Sequence, residues 1–551
     1  MALDLTPAEK ELGRANFRQV SNEVNRRGFL KGLLTGGAVA PVAAAAYFGY
    51  QFEKDKDKPV RAALIGAGDE GGVLVGEHNP SYLEFVAFCD IRPHNQKRIF
   101  DGEKTGPRKG FKHHYGKDCD RKIRNFTDYK ELLADTKLGI EAVVIALPLH
   151  LHAPVAIAAM EAGKHVLCEK LMAWNITQCK KMIEVAEKTD RILTIGHQRH
   201  YSMLYAQAVE VINSAVLGDV KHIRALWHRN NSWPKLDKNG KPTGEYRDGW
   251  RPDIPKEDQD ALAKEIRDHW DYKNMEELVR WRLYNRTGGG LMAELGSHQL
   301  DACSIFLGKV HPLAVSAVGG KLFYTDDREA DDHVFVTFEF PGKGYYVLDN
   351  NGQRTSEIKN KNDIVVVTYS SVNTNSLEAY GECVMGSRGA LVVEKEESAF
   401  LFGEKDPNLK EPGGPRSTSM TVTNTAAGKP VLDSSSTTGG VTEKTLVGGV
   451  AGADGGSSGP VSKGYREEME HFAYCIRMHQ HAKSTDEKCQ WRLAPRCHGK
   501  VAMADAIIAL TSNQAMKKQQ RIVFNEKWFD PTSPELPDAD MKALNAKGEI
   551  I

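Results

Sequence analysis

"VRAALIGAGDEGG", Val60 to Gly72, decides the fold. A short apolar run leads into Gly66-Ala67-Gly68-Asp69-Glu70-Gly71, a GxGxxG pattern. Buried parallel strands read as continuous apolar runs, so "RAALIG" is a strand and its glycines turn the chain into a helix. A second apolar run, "LEFVAFCD", ends at Asp90, 24 residues after Gly66. Strand, glycine turn, helix, strand and terminal acid together form the context that separates a dinucleotide-binding fingerprint from a bare glycine turn. Gly66 and Gly68 let the backbone approach a pyrophosphate. Asp69, Glu70 and Gly71 open the helix whose N-terminus supplies amide donors. Asp90 accepts hydrogen bonds from the adenosine ribose hydroxyls and repels a 2'-phosphate, which favours NAD over NADP. Arg92 stands against that preference, because a guanidinium there could hold a 2'-phosphate.

Outward from this point the pattern repeats. "EAVVIALP" (Glu141 to Pro148), "HVLCEK" and "RILTIGHQ" are further buried strands, with helices at Asp128 to Ala134, Pro154 to Ala162 and Thr177 to Lys188 between them. Alternating strands and helices give an α/β fold, a Rossmann doubly wound parallel sheet over residues 59–199. The stretch from Gly102 to Arg124 is polar and basic and reads as an inserted loop. Past Arg199 a helix (Met203 to Val216) and a strand (Val220 to His228) precede "HVFVTFEFP", "YYVLDNN", "IVVVTYS" and "ALVVEKE". These predict an α+β C-terminal domain, residues 200–530, with an open, mainly antiparallel sheet. Residues 404–463 are a Gly/Ser/Thr/Pro-rich low-complexity insertion. Helices "YREEMEHFAYCIR" and "GKVAMADAIIALTSNQAMK" follow it, and 531–551 form a tail.

The bulk numbers exclude several classes. The 551 residues carry 73 basic and 73 acidic side chains, so no positive excess points to nucleic acid. Nine cysteines contain no CxxC pair. Zinc-ligand spacing is absent, no metal is expected, and an odd count argues against a fully paired disulfide framework.

Residues 1–58 have a separate character. Arg26-Arg27 is followed by Gly28-Phe29-Leu30-Lys31 and then by an uncharged Gly/Ala-rich run, Gly32 to Tyr50. This resembles a twin-arginine (Tat) export signal, which implies the Tat machinery as a partner and a periplasmic or otherwise exported location. Ala43 to Ala46 offers small residues for cleavage, and an uncleaved membrane anchor stays open.

Two segments carry candidate chemistry. "AGKHVLCEKLMA" places Glu169-Lys170 at the carboxyl end of a buried strand, the edge where ligands bind in such sheets. "RTGGGLMAELGSHQLDACSIFLG" sets His298 in the apolar stripe of a helix, with Glu294 one turn before and Asp301 three residues after. A histidine on an apolar face is usually a core residue. Flanking carboxylates could instead orient its tautomer for general-base work. Arg199, Tyr201, Trp227, Trp270, Arg282 and Tyr284 lie near strand ends or before the glycine triplet. Aromatic and arginine groups of this kind suit a sugar, and equally suit a core.

"GAGDEGG", the Asp-ending second strand, "VVIALPLHLHAPVAIAAMEAGKHVLCEK" and "GGGLMAELGSHQLD" together resemble the Gfo/Idh/MocA oxidoreductase family. The resemblance spans roughly residues 59–310. It implies that His298 removes a hydroxyl proton and that Lys170 holds cofactor and substrate and relays protons. It also implies that Leu147, Pro148, His150, His152 and Glu169 lie at the cofactor, that Gln198 reaches the nicotinamide, and that the chain is a homo-oligomer. Leu171 replaces the family's proline after the lysine, and Glu294 its usual aspartate.

The expected function is hydride transfer between NAD and a CH–OH group of a sugar or glycoside. Outside the cytoplasm free NAD is scarce, so an exported enzyme should hold its cofactor and return the hydride within one site. Coupled sugar oxidation and reduction, epimerisation, and redox-neutral glycoside cleavage all fit. A non-catalytic relative is the remaining alternative.

Overall fold

The computed structural model describes residues 5–25, 40–50, 58–404, 421–424, 430–433 and 462–538. Six strands form the first sheet: β1 (Val60–Ile65), β2 (Leu83–Cys89), β3 (Arg124–Phe126), β4 (Ala142–Ile145), β5 (His165–Glu169) and β6 (Leu193–Gly196). All pairings are parallel, in the order β3-β2-β1-β4-β5-β6. The order reverses between β1 and β4, so the loops leaving their carboxyl ends diverge and open a crevice. β4 and β5 are buried at every position, as their unbroken apolar runs require.

The parallel α/β fold is as expected, with one strand more than the apolar runs indicated. β3 is three residues long and exposed at its first two positions, so it carries almost no hydrophobic signal. The preceding stretch is also more ordered than its polarity suggests. A short helix, Phe111–Tyr115, buries Phe111 against Phe85 and Phe88.

The second sheet has eight strands in the order Ser398–Gly403, Gly389–Glu394, Tyr380–Gly386, Val220–His228, Ile364–Val372, His333–Pro341, Ala314–Gly320 and Ile522–Val523. Six pairings are antiparallel; Val220–His228 runs parallel to Ile364–Val372. Alternation sets its two faces: Val334, Val336, Phe338 and Phe340 are buried, whereas Phe335 and Thr337 are exposed. The buried face receives helix Ser297–Phe306. "YYVLDNN" does not join this sheet; Tyr346–Leu348 pairs with Arg354–Ile358 in a separate hairpin.

The C-terminal helices tie the two sheets together. Helix Tyr465–His481 inserts Met469, Phe472, Ala473 and Ile476 into the core beneath β1 and β2. Helix Gly499–Lys518 gives Ala502, Met503, Ala506 and Ile507 to the first sheet's core and Ile508, Ala515 and Met516 to the second's. The nine cysteines are free thiols, all but Cys489 buried.

Both described parts of the N-terminal 50 residues pack on this body. Helix Pro7–Asn25 lies against Ser398–Gly403, where Phe17 and Val20 are buried and Asn16 Nδ2 donates to the Leu401 carbonyl at 3.0 Å. After it, Ala44, Phe48 and Tyr50 are buried against Tyr201 and Ala206. Residues 26–39, which include Arg26-Arg27 and the first part of the uncharged run, lie outside the described residues. No helix among the described residues is long and apolar enough to cross a membrane. Most of 404–463 is likewise outside, though Thr421–Asn424 and Pro430–Asp433 pair antiparallel. Of the tail, residues to 538 are described, and the buried Asp538 carboxylate accepts the Ile176 N–H.

Candidate functional site

A crevice of about 600 Å³ runs from Asp90 at one end to Lys170 and Glu294 at the other. Its floor is the glycine turn. Gly66 has φ +98°, and a Cβ there would come within 2.2 Å of the Ala146 carbonyl oxygen. A Cβ on Gly71 would meet the Gly66 carbonyl oxygen at 2.1 Å, whereas one on Gly68 would meet nothing nearer than 4.0 Å. The first and third glycines therefore close the turn, and the second leaves its face open to the groove. Helix Asp69–Glu77 starts here without a side-chain cap, so its first amides face the groove as anion donors. Despite burial, Arg98, 2.8 Å from Asp69, and Arg108 hold that carboxyl below its usual value. Both arginines add positive charge beside the turn. The residues fit a dinucleotide pyrophosphate.

Asp90 closes the outer end. Its Oδ2 accepts from Ala67 N–H (2.8 Å) and Asn95 Nδ2 (3.1 Å), and its Oδ1 from Arg92 N–H (2.8 Å). Three donors fix the carboxylate in the groove wall, positioned for ribose hydroxyls. Burial raises its pKa, opposed by the same donors. The wall opposite comes from the second domain, with Trp250, Pro255, Trp270 and Tyr272 among its lining residues. Apart from Trp270 and Arg282, nothing in the sequence singled out this wall, because a lining made by a distant segment has no local spacing to read.

The inner end holds the candidate chemistry. Lys170 Nζ donates to the Glu294 carbonyl at 2.9 Å. The His152 ring nitrogens lie 2.8 and 2.9 Å from the carbonyl oxygens of Leu171 and Leu147, which braces the turn after Lys170 where a proline is absent. Glu294 Oε2 accepts from Arg282 Nε at 2.8 Å; against the cost of burial, Lys170 and Arg282 keep the carboxyl below its usual value. Glu70 and Glu169 flank Lys170, each with a buried oxygen that lacks a partner, and burial pushes both carboxyls up.

His298 sits in helix Ser297–Phe306, directly after a π-helical turn, Met292–Gly296. Single π turns recur at functional sites. Burial, then the charges of Lys170 and Arg199, hold the imidazole well below its usual pKa. It is neutral at physiological pH and able to accept a proton. Its ring lies 5.5 Å from that of Trp227, which in turn stacks on Tyr380 at 4.6 Å.

The structure thus brings together Gly66, Gly68, Asp69, Glu70, Asp90, Arg92, Leu147, Pro148, His152, Glu169, Lys170, Arg282 and Glu294 around one crevice, with His298 and Trp227 beyond its inner end. It places others elsewhere. Arg199 is not at the crevice: it is 1% exposed, bonded to Glu396 (2.6 Å), Glu382 (2.8 Å) and the His298 carbonyl (2.6 Å). Tyr201 turns its hydroxyl to His471 (2.8 Å), against Phe48. Asp301 does not orient His298; its Oδ1 meets His200 Nε2 (2.8 Å) and Lys309 Nζ (2.6 Å). Tyr284 donates to Asp327 at 3.1 Å, outside the crevice. His150 packs edge-on against Tyr272 behind the wall, and Gln198 is buried at the end of β6. In each case the sequence position was near a strand end or helix face, and the side chain points to the other side. His200, Asp301 and Asp505 cluster closely enough to form a metal set, but the Lys309 ammonium bonds both carboxylates and occupies the cation's place.

Residues 60–197 match the family described as "Oxidoreductase family, NAD-binding Rossmann fold", and residues 263–382 the GFO/IDH/MocA C-terminal domain. The chain belongs to the Gfo/Idh/MocA oxidoreductase family. Similar proteins include an uncharacterized oxidoreductase of Schizosaccharomyces pombe, 26% identical over 286 residues (51% of this chain, 61% of the relative). A glycosyl hydrolase family 109 protein of Shewanella baltica is 27% identical over 239 residues, 42% of this chain and 51% of the relative. The chain thus spans only about half to three fifths of the length of these curated relatives. An inositol dehydrogenase homolog from Azotobacter vinelandii, solved with NADH and myo-inositol, shares the Gfo/Idh/MocA fold. It aligns at TM-score 0.54 and 16% identity over 85% of this chain and 98% of that one.

Proposed function

We propose that this protein is an NAD-dependent oxidoreductase of a sugar or glycoside CH–OH group that keeps its cofactor between turnovers. The observation that carries the reading is Lys170 at the inner end of the dinucleotide crevice, with a neutral His298 beyond it, close enough to feel its charge and beside the Trp227–Tyr380 stack. NAD, when bound, supplies a two-electron hydride acceptor. His298 takes the substrate hydroxyl proton, and in the reverse direction returns it to the carbonyl oxygen. Lys170, anchored on the Glu294 carbonyl, supplies positive charge where an alkoxide develops. Trp227 offers a flat apolar face to a sugar ring. The wall contributed by the second domain encloses the groove, which supports slow cofactor release. Asn25 to Lys31 supports export through the Tat route, with cofactor loaded before the folded protein crosses, and the wide open sheet suits a homo-oligomer.

A second reading is favoured by the glycosyl hydrolase family 109 relatives: transient oxidation that acidifies a neighbouring C–H, elimination of the aglycone, addition of water to the double bond so formed, and return of the hydride. One experiment separates them. Protein purified without added cofactor is denatured and the released nucleotide identified; intact protein is then given p-nitrophenyl glycosides. Stoichiometric NAD(H) supports retention. Nitrophenol release with no net NADH absorbance supports the redox-neutral reading, whereas net NADH formation from free sugars supports the dehydrogenase. An empty site that turns over only with added NAD sinks retention.

A further inference from the structure

Two groups beside Asp90 are natural anchors for the 2'-phosphate of NADP. One is the Arg92 guanidinium. The other is the N-terminus of helix Pro93–Asp101, which follows β2 and has no side-chain cap from Arg92 itself. Exposed to a ligand, a guanidinium and a helix amide would together hold a phosphate.

A single carboxylate from the second domain takes both. Asp258, in helix Lys256–Leu262, is wholly buried, and its Oδ2 lies 2.8 Å from Arg92 Nε. Its Oδ1 accepts the His94 backbone N–H at 2.9 Å. Its neighbour Glu257 meets His94 Nδ1 (2.9 Å) and Lys97 Nζ (2.5 Å), so the helix is fastened at successive residues. We infer that Asp258 is the residue that commits this site to NAD: it neutralises Arg92, fills the helix N-terminus, and sets a second negative charge beside Asp90 where a 2'-phosphate would lie. The residue comes from a segment more than 160 positions away in sequence, so the basic Arg92 read alone gives the opposite expectation.

The inference rests on the dinucleotide reading of the crevice, and the test keeps the two apart. Full-length protein is stripped of nucleotide, and NAD⁺ and NADP⁺ are titrated by calorimetry into wild type, Asp258→Asn, Arg92→Ala and the double variant. Wild type should favour NAD⁺. Asp258→Asn should tighten NADP⁺ about tenfold or more with NAD⁺ little changed, in line with the worth of a hydrogen bond to a charged group. The double variant should lose that gain. Arg92→Ala alone should not tighten NADP⁺, because the Asp258 carboxylate it leaves unpaired stays beside the 2' position. An unchanged NADP⁺/NAD⁺ ratio in Asp258→Asn, with NAD⁺ still bound, overturns the role of Asp258 and leaves the dinucleotide reading standing. A tightening of NADP⁺ in Arg92→Ala does the same. Failure of wild type to bind either nucleotide overturns both.

Discussion

In the proposed hydride transfer His298 starts as a neutral imidazole, because its surroundings disfavour the cation in the resting site. Burial and the neighbouring Lys170 charge both disfavour imidazolium, so the ring is neutral well below the usual titration range. The sign of a test follows. Removing the Lys170 charge removes a repulsion and raises the His298 pKa, so the acid limb of kcat/KM should move to higher pH in Lys170→Met, on top of a lower maximum. His298→Asn should lower kcat by about 10²- to 10⁴-fold, the usual contribution of a general base. A pH–rate profile with an unmoved limb in Lys170→Met would dissociate the two residues. Arg199 gives the contrasting prediction. It is paired on both sides by buried Glu382 and Glu396, and even so Glu382 is pushed up to about 7. Arg199→Ala strands both acids and should cost about 3–5 kcal/mol by urea denaturation. The KM of whatever protein remains folded should be near that of wild type, because the side chain faces away from the crevice.

At the scale of elements, legibility followed hydrophobic period. β1, β2, β4, β5 and β6 announced themselves as unbroken apolar runs, and His333–Pro341 as a period-two alternation. β3 did not, because an edge strand of three residues with two exposed positions has no such run. Lys170 and His298 could be placed, one just past a buried strand and the other on a helix face, but their proposed roles came from the family resemblance rather than from the period. The crevice's outer wall could not be placed, since Asp258 reaches Arg92 only through the tertiary fold. The N-terminal helix shows the same limit. As sequence, Pro7 to Asn25 is a polar leader ahead of the twin arginines; in the fold it caps the edge of the second sheet. A Cβ on Gly13 would meet Phe400 Cβ and Phe402 Cζ, each at 2.8 Å. Gly13→Leu should therefore lift the helix from the sheet and expose Arg14 and Arg18 to trypsin. Rapid cleavage there in the variant, against protection in wild type, checks the docking by mass spectrometry.

For the molecule as a whole, the many buried titratable groups give stability a definite pH dependence. Burial holds His78, His150 and His165 down to about 3, each neutral in the fold and charged in the unfolded chain below about 6.5. For each, the unfolded state binds more protons in that window, so stability rises with pH and is lost as pH falls. Buried carboxyls oppose this: Glu382 at about 7 and Asp505 at about 6 bind protons in the fold above their unfolded values, so they cost stability as pH rises through that range. Between about 4.5 and 6.5 the two sets act in opposite directions, so the profile is flatter than the buried histidines, which include His200, His471 and His498 at about 4, would make it alone. Below about 4.5 the raised carboxyls are protonated in both states and cease to compensate, while the histidines and the low-lying Glu141, at about 2, continue. The three histidines held at about 3 alone then give a slope of about 4 kcal/mol per pH unit. Urea midpoints measured from pH 3.5 to 7 should accordingly fall towards acid pH. His165→Gln, remote from the crevice and unable to charge, should make that fall less steep, and an unchanged slope would mean that other groups drive acid unfolding.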